Sequence, residues 1–507
     1  MLVERFVTYF ARKKNADYLQ FSSSAPAALP PQKEETPTLL YMHVPFCEEL
    51  CPYCSFNRVV FKEDLARAYH QALRKEVLMY KGLGYDFRAL YVGGGTPTVL
   101  IDELGRTIAL IRESFHISEV SVETNPNHLS EENIELLKKM GVNRLSVGVQ
   151  TFDDGILKAV ERFHKYGSGA EIAERLKYAQ GRFDTLNADM IFNFPTQTME
   201  ILEKDLSILN DLKIDQITYY PLMVSAYTEE TMSRKLGVVN YDRGNRLYLK
   251  ITEMLDRNYR ASTAWCFSRK DRMRPPDNEM TFNQRLLSRE GVATRGPYSD
   301  PLNRGDSARV PGKNGSEQVE GATPLRGQAR NTPDVNQRLL SREGEAPTAL
   351  PVEGATRAPV IDEYVVNYDE YAGLGSGSIG YLGGAAYANT FDIATYIREV
   401  NEGRLPLAAK KEFSMKERMR YDFLMKLFGL TLDLRQVNAR YGASATRYLW
   451  PEILFFRLAG GLIKKGNILR LTQKGRYYWV LMMREFFIGV NNFRDYCRAQ
   501  LKAPKTT

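Results

Sequence analysis

From residue 38 to residue 225, short apolar runs with β character alternate with amphipathic helical patterns, and this alternation leaves few folds open. The strand-like runs lie at 39–44, 89–92, 120–123, 144–149, 185–191 and 216–220. Helical periodicity fills 63–82, 100–115, 130–140, 168–180 and 198–212 between them. Ser130 suits an N-cap, Glu131 and Glu132 suit the first turn behind it, and Gly141 suits the stop. Near-continuously apolar strands joined by helices imply a parallel sheet covered by those helices. Six such units predict an α/β chain, a partial (β/α)6 TIM-like barrel that falls short of the full eight. Chemistry in such barrels gathers in the loops at the strand C-termini. The chemically suggestive residues sit there: three cysteines after the first strand, 93–97 after the second, Glu123 at the third and Gln150 at the fourth.

The rest of the chain divides by composition. Residues 1–37 read as an N-terminal helical extension, and 38–225 as the barrel. Residues 226–282 read as a barrel extension, with a helix near 240–258 and a strand at 259–267. Residues 283–360 are rich in Gly, Pro, Arg and small polar residues and carry Tyr298 as their one aromatic. They also hold a direct repeat, NQRLLSREG, at 283–291 and 336–344. Such a segment cannot bury enough apolar surface to offset its ordering entropy, so a disordered insertion is expected. A Gly-rich stretch within 361–400 is expected to complete the core. Residues 401–507 predict an α-rich, winged-helix-like domain. Helices are expected near 391–401, at the end of the Gly-rich part, and near 414–429 and 446–459 in the domain, followed by a hairpin over 462–471 and a final helix. Winged helices bind DNA or serve for packing. No dense basic recognition face is present here, and nucleic acid is not expected as a partner.

The net charge of +8 is modest for 507 residues. No apolar stretch approaches the roughly 18–20 residues of a membrane span. The N-terminus mixes charges throughout and lacks the apolar region of a secretion signal. A cytoplasmic, soluble protein is the expectation.

Cys47, Cys51 and Cys54 follow one another as C-x3-C-x2-C, while Cys266 and Cys497 stand far away. Clustering of this kind favours metal or cluster ligation over a disulfide scaffold. Three thiolates can each take one iron of a [4Fe–4S] cubane and leave the fourth iron open, whereas an electron-transfer cluster uses four cysteines. A zinc site would want a fourth Cys or His nearby, and His43 is the one close choice.

The motif C-x3-C-x2-C followed by Gly-Gly-Gly-Thr-Pro at 93–97 resembles the radical SAM signature. More closely, the blocks around Tyr41–Cys47, Val122–Pro126, Ser146–Phe152 and Asp189–Pro195 resemble the oxygen-independent coproporphyrinogen III oxidase-like group. That group includes the decarboxylase itself, a heme chaperone and radical heme methyltransferases. The resemblance spans about 38–282 and resumes at 361. It implies a [4Fe–4S] cluster on the three cysteines and one or two molecules of S-adenosylmethionine (SAM). It also implies a tetrapyrrole substrate, coproporphyrinogen III or heme, and a flavodoxin- or ferredoxin-type electron donor. By resemblance Gly94, Gly95, Thr96, Glu123, Gln150, Arg162 and Asp189 contact SAM, Tyr41 supports it, and Tyr53 and Ile379 lie near it. His43 is expected either to meet substrate or a proton, or to be a buried structural histidine. An aspartate suits ribose hydroxyls and an arginine suits a carboxylate. Two departures bear on subfamily. Ser55 and Phe56 stand where the decarboxylase places a fourth cysteine, and 361–367 lack the His and Trp of the chaperone's motif.

Overall fold

The computed structural model describes residues 2–18, 29–30, 38–273 and 368–502. The expected insertion at 283–360, with its repeat, lies outside the described residues, as do 361–367. The strands that matter are β1 Thr38–Val44, β2 Ala89–Gly94, β3 Glu119–Thr124, β4 Arg144–Gln150, β5 Thr185–Phe192 and β6 Gln216–Pro221. They continue with β7 Tyr259–Ala261, β8 Cys266–Arg269, β9 Glu370–Leu374, β10 Ile379–Leu382, β11 Ala385–Asn389 and β12 Leu407–Glu412. Among the described residues they form a twelve-stranded sheet in the order β12-β11-β10-β9-β1-β2-β3-β4-β5-β6-β8-β7. The run from β9 through β1 to β6 is parallel throughout. The antiparallel strands are confined to its two ends. The six expected units are therefore present, and a seventh parallel strand, β9, comes from beyond the insertion to pair with the outer side of β1.

The helices are α1 Leu2–Tyr18, α2 Glu63–Gly82, α3 Ile101–Ser114, α4 Glu131–Lys139, α5 Gly169–Ala179 and α6 Met199–Leu212. The local rules explain them. On α2, Ala66, Tyr69, Leu73, Val77 and Tyr80 are buried at helical spacing, with Glu63 and Asp64 at the positive end of the dipole. Ser130 caps α4 by accepting from the Asn133 amide, and Gly141 follows at φ 77°. Ser168 and Glu171 close a capping box on α5.

Two expectations change in detail. The single strand expected at 259–267 is a hairpin of β7 and β8. The Thr263 hydroxyl accepts from the Cys266 amide at 3.0 Å, which turns the chain between them. The helix expected at 446–459 is split, because Pro451 supplies no amide and a new helix starts there. Strand β12 and the helix Ala226–Leu236 (α7) were not anticipated.

After α8 (Gly244–Leu255) and α9 (Ile393–Asn401), the C-terminal part holds α10 Met415–Phe428, α11 Leu434–Tyr441, α12 Trp450–Leu458 and α13 Gln473–Lys502. A small sheet of Thr431–Asp433, Leu462–Lys465 and Ile468–Leu471 joins them. Within α13 the Arg484–Glu485 pair is buried with a contact of 2.7 Å. Helix α1 is held to the turn before α8 by Arg5 on Asp242 at 2.8 Å and to α13 by Arg12 on Glu485 at 3.0 Å. No described helix is long and apolar enough to cross a membrane.

Glu76 couples α2 to the Gly-rich strands. Its carboxylate accepts from the Gly375 amide at 2.9 Å, the Asn389 amide at 2.9 Å and the Tyr396 hydroxyl at 2.5 Å. Burial pushes its carboxyl up from 4.5 to about 7 despite these donors. The native state thus holds this proton more tightly than the unfolded chain does. The associated stability is full below pH 4.5 and is lost as pH rises through 7, amounting to about 3 kcal/mol. Denaturant melts of the wild type should show this fall between about pH 5 and pH 8. Glu76→Gln should make it shallower by one group's share, since burial raises Glu123 as well, and an equally steep profile in the variant would assign the slope to other groups.

Candidate active site

Strand β1 ends in Val44 and runs straight into the cysteine loop. That loop is closed on itself: Phe46–Cys47 pair with Val59–Val60, and the Phe61 amide donates to the Cys47 carbonyl at 2.7 Å. Arg58 reaches back into the loop, its guanidinium donating to the carbonyls of Cys51 at 2.5 Å and Cys54 at 2.6 Å. Glu48 pins the outside of the loop to Lys165 at 2.9 Å and His128 at 3.2 Å. His128 and Lys165 hold its carboxyl down at about 2, against the effect of burial. Arg58 was not singled out from sequence, although an arginine four residues past the last cysteine was visible. Arg58→Ala should weaken iron retention under chelator challenge by roughly 10–100-fold, the range for losing an outer-shell partner. Retention equal to wild type would remove Arg58 from this role.

The glycine run after β2 is fixed by what surrounds each residue. A Cβ on Gly93 would lie 3.0 Å from the Glu123 carboxylate. On Gly94, at φ 120°, it would lie 2.8 Å from the His43 ring. On Gly95 it would lie 2.6 Å from the Phe46 carbonyl and 2.9 Å from the Cys47 sulfur. The missing side chains let the β2 turn lie directly against the cysteine loop, where the Gly95 and Thr96 amides donate to the carbonyls of Val44 at 2.8 Å and Phe46 at 2.7 Å.

Two carboxylates stand on β3 and β5. Glu123 accepts from the Tyr91 hydroxyl at 2.7 Å and the Gly94 amide at 3.2 Å. Asp189 accepts from Ser146 at 2.7 Å and Asn187 at 2.9 Å. Burial, and then the neighbouring Asp189 charge, raise the Glu123 carboxyl to about 7. Burial likewise raises Asp189. The counter-charge is Arg144, buried at the start of β4 and held by the Gln216 side chain at 2.9 Å. Gln150 ends β4 at φ 75°, next to a register shift against β5. Arg162 is buried. It donates to Asn125 at 3.1 Å, approaches the Cys51 sulfur and the Tyr53 hydroxyl at 3.5 Å each, and lies 4.0 Å over the Tyr166 ring. Its Nε has no hydrogen-bond partner among the described residues.

Tyr41 and His43 share one face of β1. The Nε2 of His43 faces the Asn57 carbonyl at 2.7 Å, so it carries a proton. In the neutral ring Nδ1 therefore accepts from the Tyr41 hydroxyl, 2.9 Å away. Both ring nitrogens are engaged within the protein, which gives His43 the position of an orienting group. Asn57 in turn donates to the Ser376 carbonyl at 3.0 Å, linking the cysteine loop to the Gly-rich segment.

All of these expected residues line one cavity of about 400 Å³: Tyr41, His43, Cys47, Cys51, Tyr53, Cys54, Gly94, Gly95, Thr96, Glu123, Gln150, Arg162, Asp189 and Ile379. Cys266 is fully buried and takes a hydrogen bond from Thr218 at 3.8 Å, as a small core residue would. The five cysteines form no disulfide.

The donor set fits a [4Fe–4S] cluster. Burial and the neighbouring Cys54 push the Cys47 thiol up to about 12, while Thr96 and Arg58 pull it down. Left alone such a thiol stays protonated, whereas a coordinating metal deprotonates it outright, so three neighbouring cysteines at this spacing suit cluster ligation. Among the described residues no three ligating side chains close on a point suited to one ion. A cubane asks instead for one thiolate on each of three corners.

Residues 41–209 match the family described as the Radical SAM superfamily. The heme chaperone HemW of Lactococcus lactis is 33% identical over 231 residues, covering 44% of this chain and 60% of the relative. The oxygen-independent coproporphyrinogen III oxidase of Bradyrhizobium diazoefficiens is 34% identical over 168 residues, covering 32% of this chain and 37% of the relative. The chain thus aligns with about half of the length of the curated relatives it matches. In fold it is similar to the coproporphyrinogen III oxidase HemN from Escherichia coli, with a TM-score of 0.63 and 21% identity over 94% of this chain and 95% of that one. The three-cysteine loop and the glycine turn against it thus lie within the residues, 41–209, that match the Radical SAM superfamily and suit a [4Fe–4S] cluster and SAM, and the chain is similar there to proteins named heme chaperone and oxygen-independent coproporphyrinogen III oxidase.

Proposed function

We propose that the chain is a radical SAM enzyme acting on a tetrapyrrole, coproporphyrinogen III or heme, by oxidative decarboxylation or methyl transfer. The observation that carries the reading is the convergence of three cluster thiols, two carboxylates and Arg162 on one cavity. Cys47, Cys51 and Cys54 would hold a [4Fe–4S] cluster, which when bound would supply the electron for reductive cleavage of SAM. The chain's own residues position and shield. The bare backbone of Gly94 and Gly95 with Thr96 admits the methionine end of SAM beside the cysteine loop. Glu123 takes its ammonium group and Arg162 its carboxylate, and Asp189 takes the ribose hydroxyls. Gln150 completes the polar ring, with Tyr53 and Ile379 as packing walls. His43 and Tyr41 keep the β1 end and the cysteine loop in register. We infer a cytoplasmic setting and reduction by a flavodoxin- or ferredoxin-type protein.

A second reading, a heme carrier whose cluster is regulatory, is favoured by the relatives named heme chaperone and by Ser55–Phe56 standing where the decarboxylase has its fourth cysteine. Anaerobic turnover with SAM, reductant and each tetrapyrrole in turn separates the two. Conversion of either tetrapyrrole supports the enzyme. Stable heme binding with no product from either supports the carrier.

A further inference from the structure

Helix α12 carries apolar residues on both of its sides. Ile453 and Phe456 are buried in the core of the C-terminal part. On the opposite side Trp450, Leu454 and Leu458 recur at the four-residue spacing that puts them on one helix face, and they are 59%, 45% and 80% exposed. An isolated exposed leucine is ordinary on a protein surface, whereas a helix that is apolar all round is one that something covers. The apolar surface continues past α12. Phe455 on its flank meets Phe6 of α1 with ring centroids 5.2 Å apart, and Phe6, Tyr9 and Phe10 are exposed along α1.

The charge around this stripe has one sign. Residues 447–476 hold seven Lys and Arg and one acid, Glu452, which Arg420 neutralises at 2.7 Å. This short stretch thus carries a net six positive charges, in a chain whose total is +8. Arg457 stands on the same helix face as the stripe, three residues after Leu454. Beyond Gly460 and Gly461 the chain enters the hairpin of Leu462–Lys465 and Ile468–Leu471. There Ile463 pairs with Arg470 and Lys465 with Ile468, and all four are exposed, while Leu462, Leu469 and Leu471 are buried beneath them. The outer face of the hairpin repeats the composition of the helix face, aliphatic residues beside cations.

A nucleic acid would satisfy the cations and leave the tryptophan and leucines in water. A bilayer interface takes both. Its acyl boundary accepts projecting apolar side chains, and its anionic head groups attract the lysines and arginines beside them. We propose that the outer face of α12, with the adjoining face of α1 and the hairpin, is a peripheral docking surface for an anionic lipid bilayer. Trp450, Leu454 and Leu458 enter the interface, and Arg457, Lys465 and Arg470 meet the phosphates. The proposal is independent of which substrate the cavity takes.

The test mixes the full chain, its cluster reconstituted, with vesicles of equal parts phosphatidylglycerol and phosphatidylcholine, and with vesicles of phosphatidylcholine alone. The chain should sediment with the anionic vesicles and not with the neutral ones. Trp265 and Trp479 are buried, so Trp450 is the one of the three tryptophans that reports from the surface. Its emission should move to the blue on the anionic vesicles, and Trp450→Phe should abolish the shift. Leu458→Asp and Lys465→Glu should each weaken vesicle binding about tenfold or more. Neither residue lines the cysteine cavity, so cluster content and SAM affinity should stay at wild-type values and report on the fold. A variant that loses them is judged by the other one. No sedimentation, equal sedimentation with both vesicles, or wild-type affinity in the variants would overturn the proposal. Duplex DNA bound with vesicles ignored would give the cations to nucleic acid, and a dimer split by Leu458→Asp with vesicles ignored would give the stripe to a second copy. Either result would overturn it too.

Discussion

Cys51→Ala is expected to fold with wild-type helical content, hold no stable [4Fe–4S] cluster and form no 5′-deoxyadenosine above background. Cys51 is buried beside Arg162, and its thiolate is one of three corners with no substitute nearby. Cys266 lies elsewhere in the core, bonded to Thr218, and cannot step in. Losing a first ligand should exceed the roughly 10–100-fold cost of losing an outer-shell partner such as Arg58. Iron and sulfide analysis with visible absorption after anaerobic reconstitution makes the check. A Cys51→Ala protein with a full complement of iron and an unchanged spectrum would mean that the loop is not the cluster site.

Glu123→Gln should weaken SAM binding by roughly 10–100-fold, the worth of a charge-assisted hydrogen bond to the ammonium group. The pH dependence is the sharper signature. Burial, and then Asp189, hold the Glu123 carboxyl near 7, with Tyr91, the Gly94 amide and Arg144 favouring the anion. The ammonium group is best held by the ionised form. Wild-type affinity should therefore rise as pH increases through 7, while the Gln variant should be flat. Equilibrium dialysis with SAM across that range decides it. Parallel profiles for the two proteins would place the titrating group elsewhere.

Much of this was legible before the structure. Continuous apolar runs and 3.6-residue patterns located β1–β6 and their helices, because each strand is buried on both faces and each helix on one. The cysteine spacing and the glycine run located the site, because each glycine is needed where another group already occupies the Cβ position. What stayed hidden depends on contacts between residues far apart in sequence. Arg144 sits at the start of a strand, where nothing marks it as the counter-charge to Glu123 and Asp189. Asn57 gains its part only because Ser376, 319 residues on, lies across from it. The pairing of β9 with β1 follows from the fold's closure past an intervening segment, which no local pattern encodes. The exposed apolar face of α1 and α12 is assembled from both ends of the chain, and its residues read in the sequence as ordinary core.

The account rests on the three-cysteine loop and its cavity being a working SAM site. The most direct measurement is electron paramagnetic resonance of the reduced, reconstituted protein with and without SAM, followed by assay of the same samples for 5′-deoxyadenosine. The account predicts a cluster signal that changes on adding SAM, with 5′-deoxyadenosine formed in the wild type and absent in Cys47→Ala. A fully loaded cluster whose signal ignores SAM, and which yields no 5′-deoxyadenosine with either tetrapyrrole present, would contradict it.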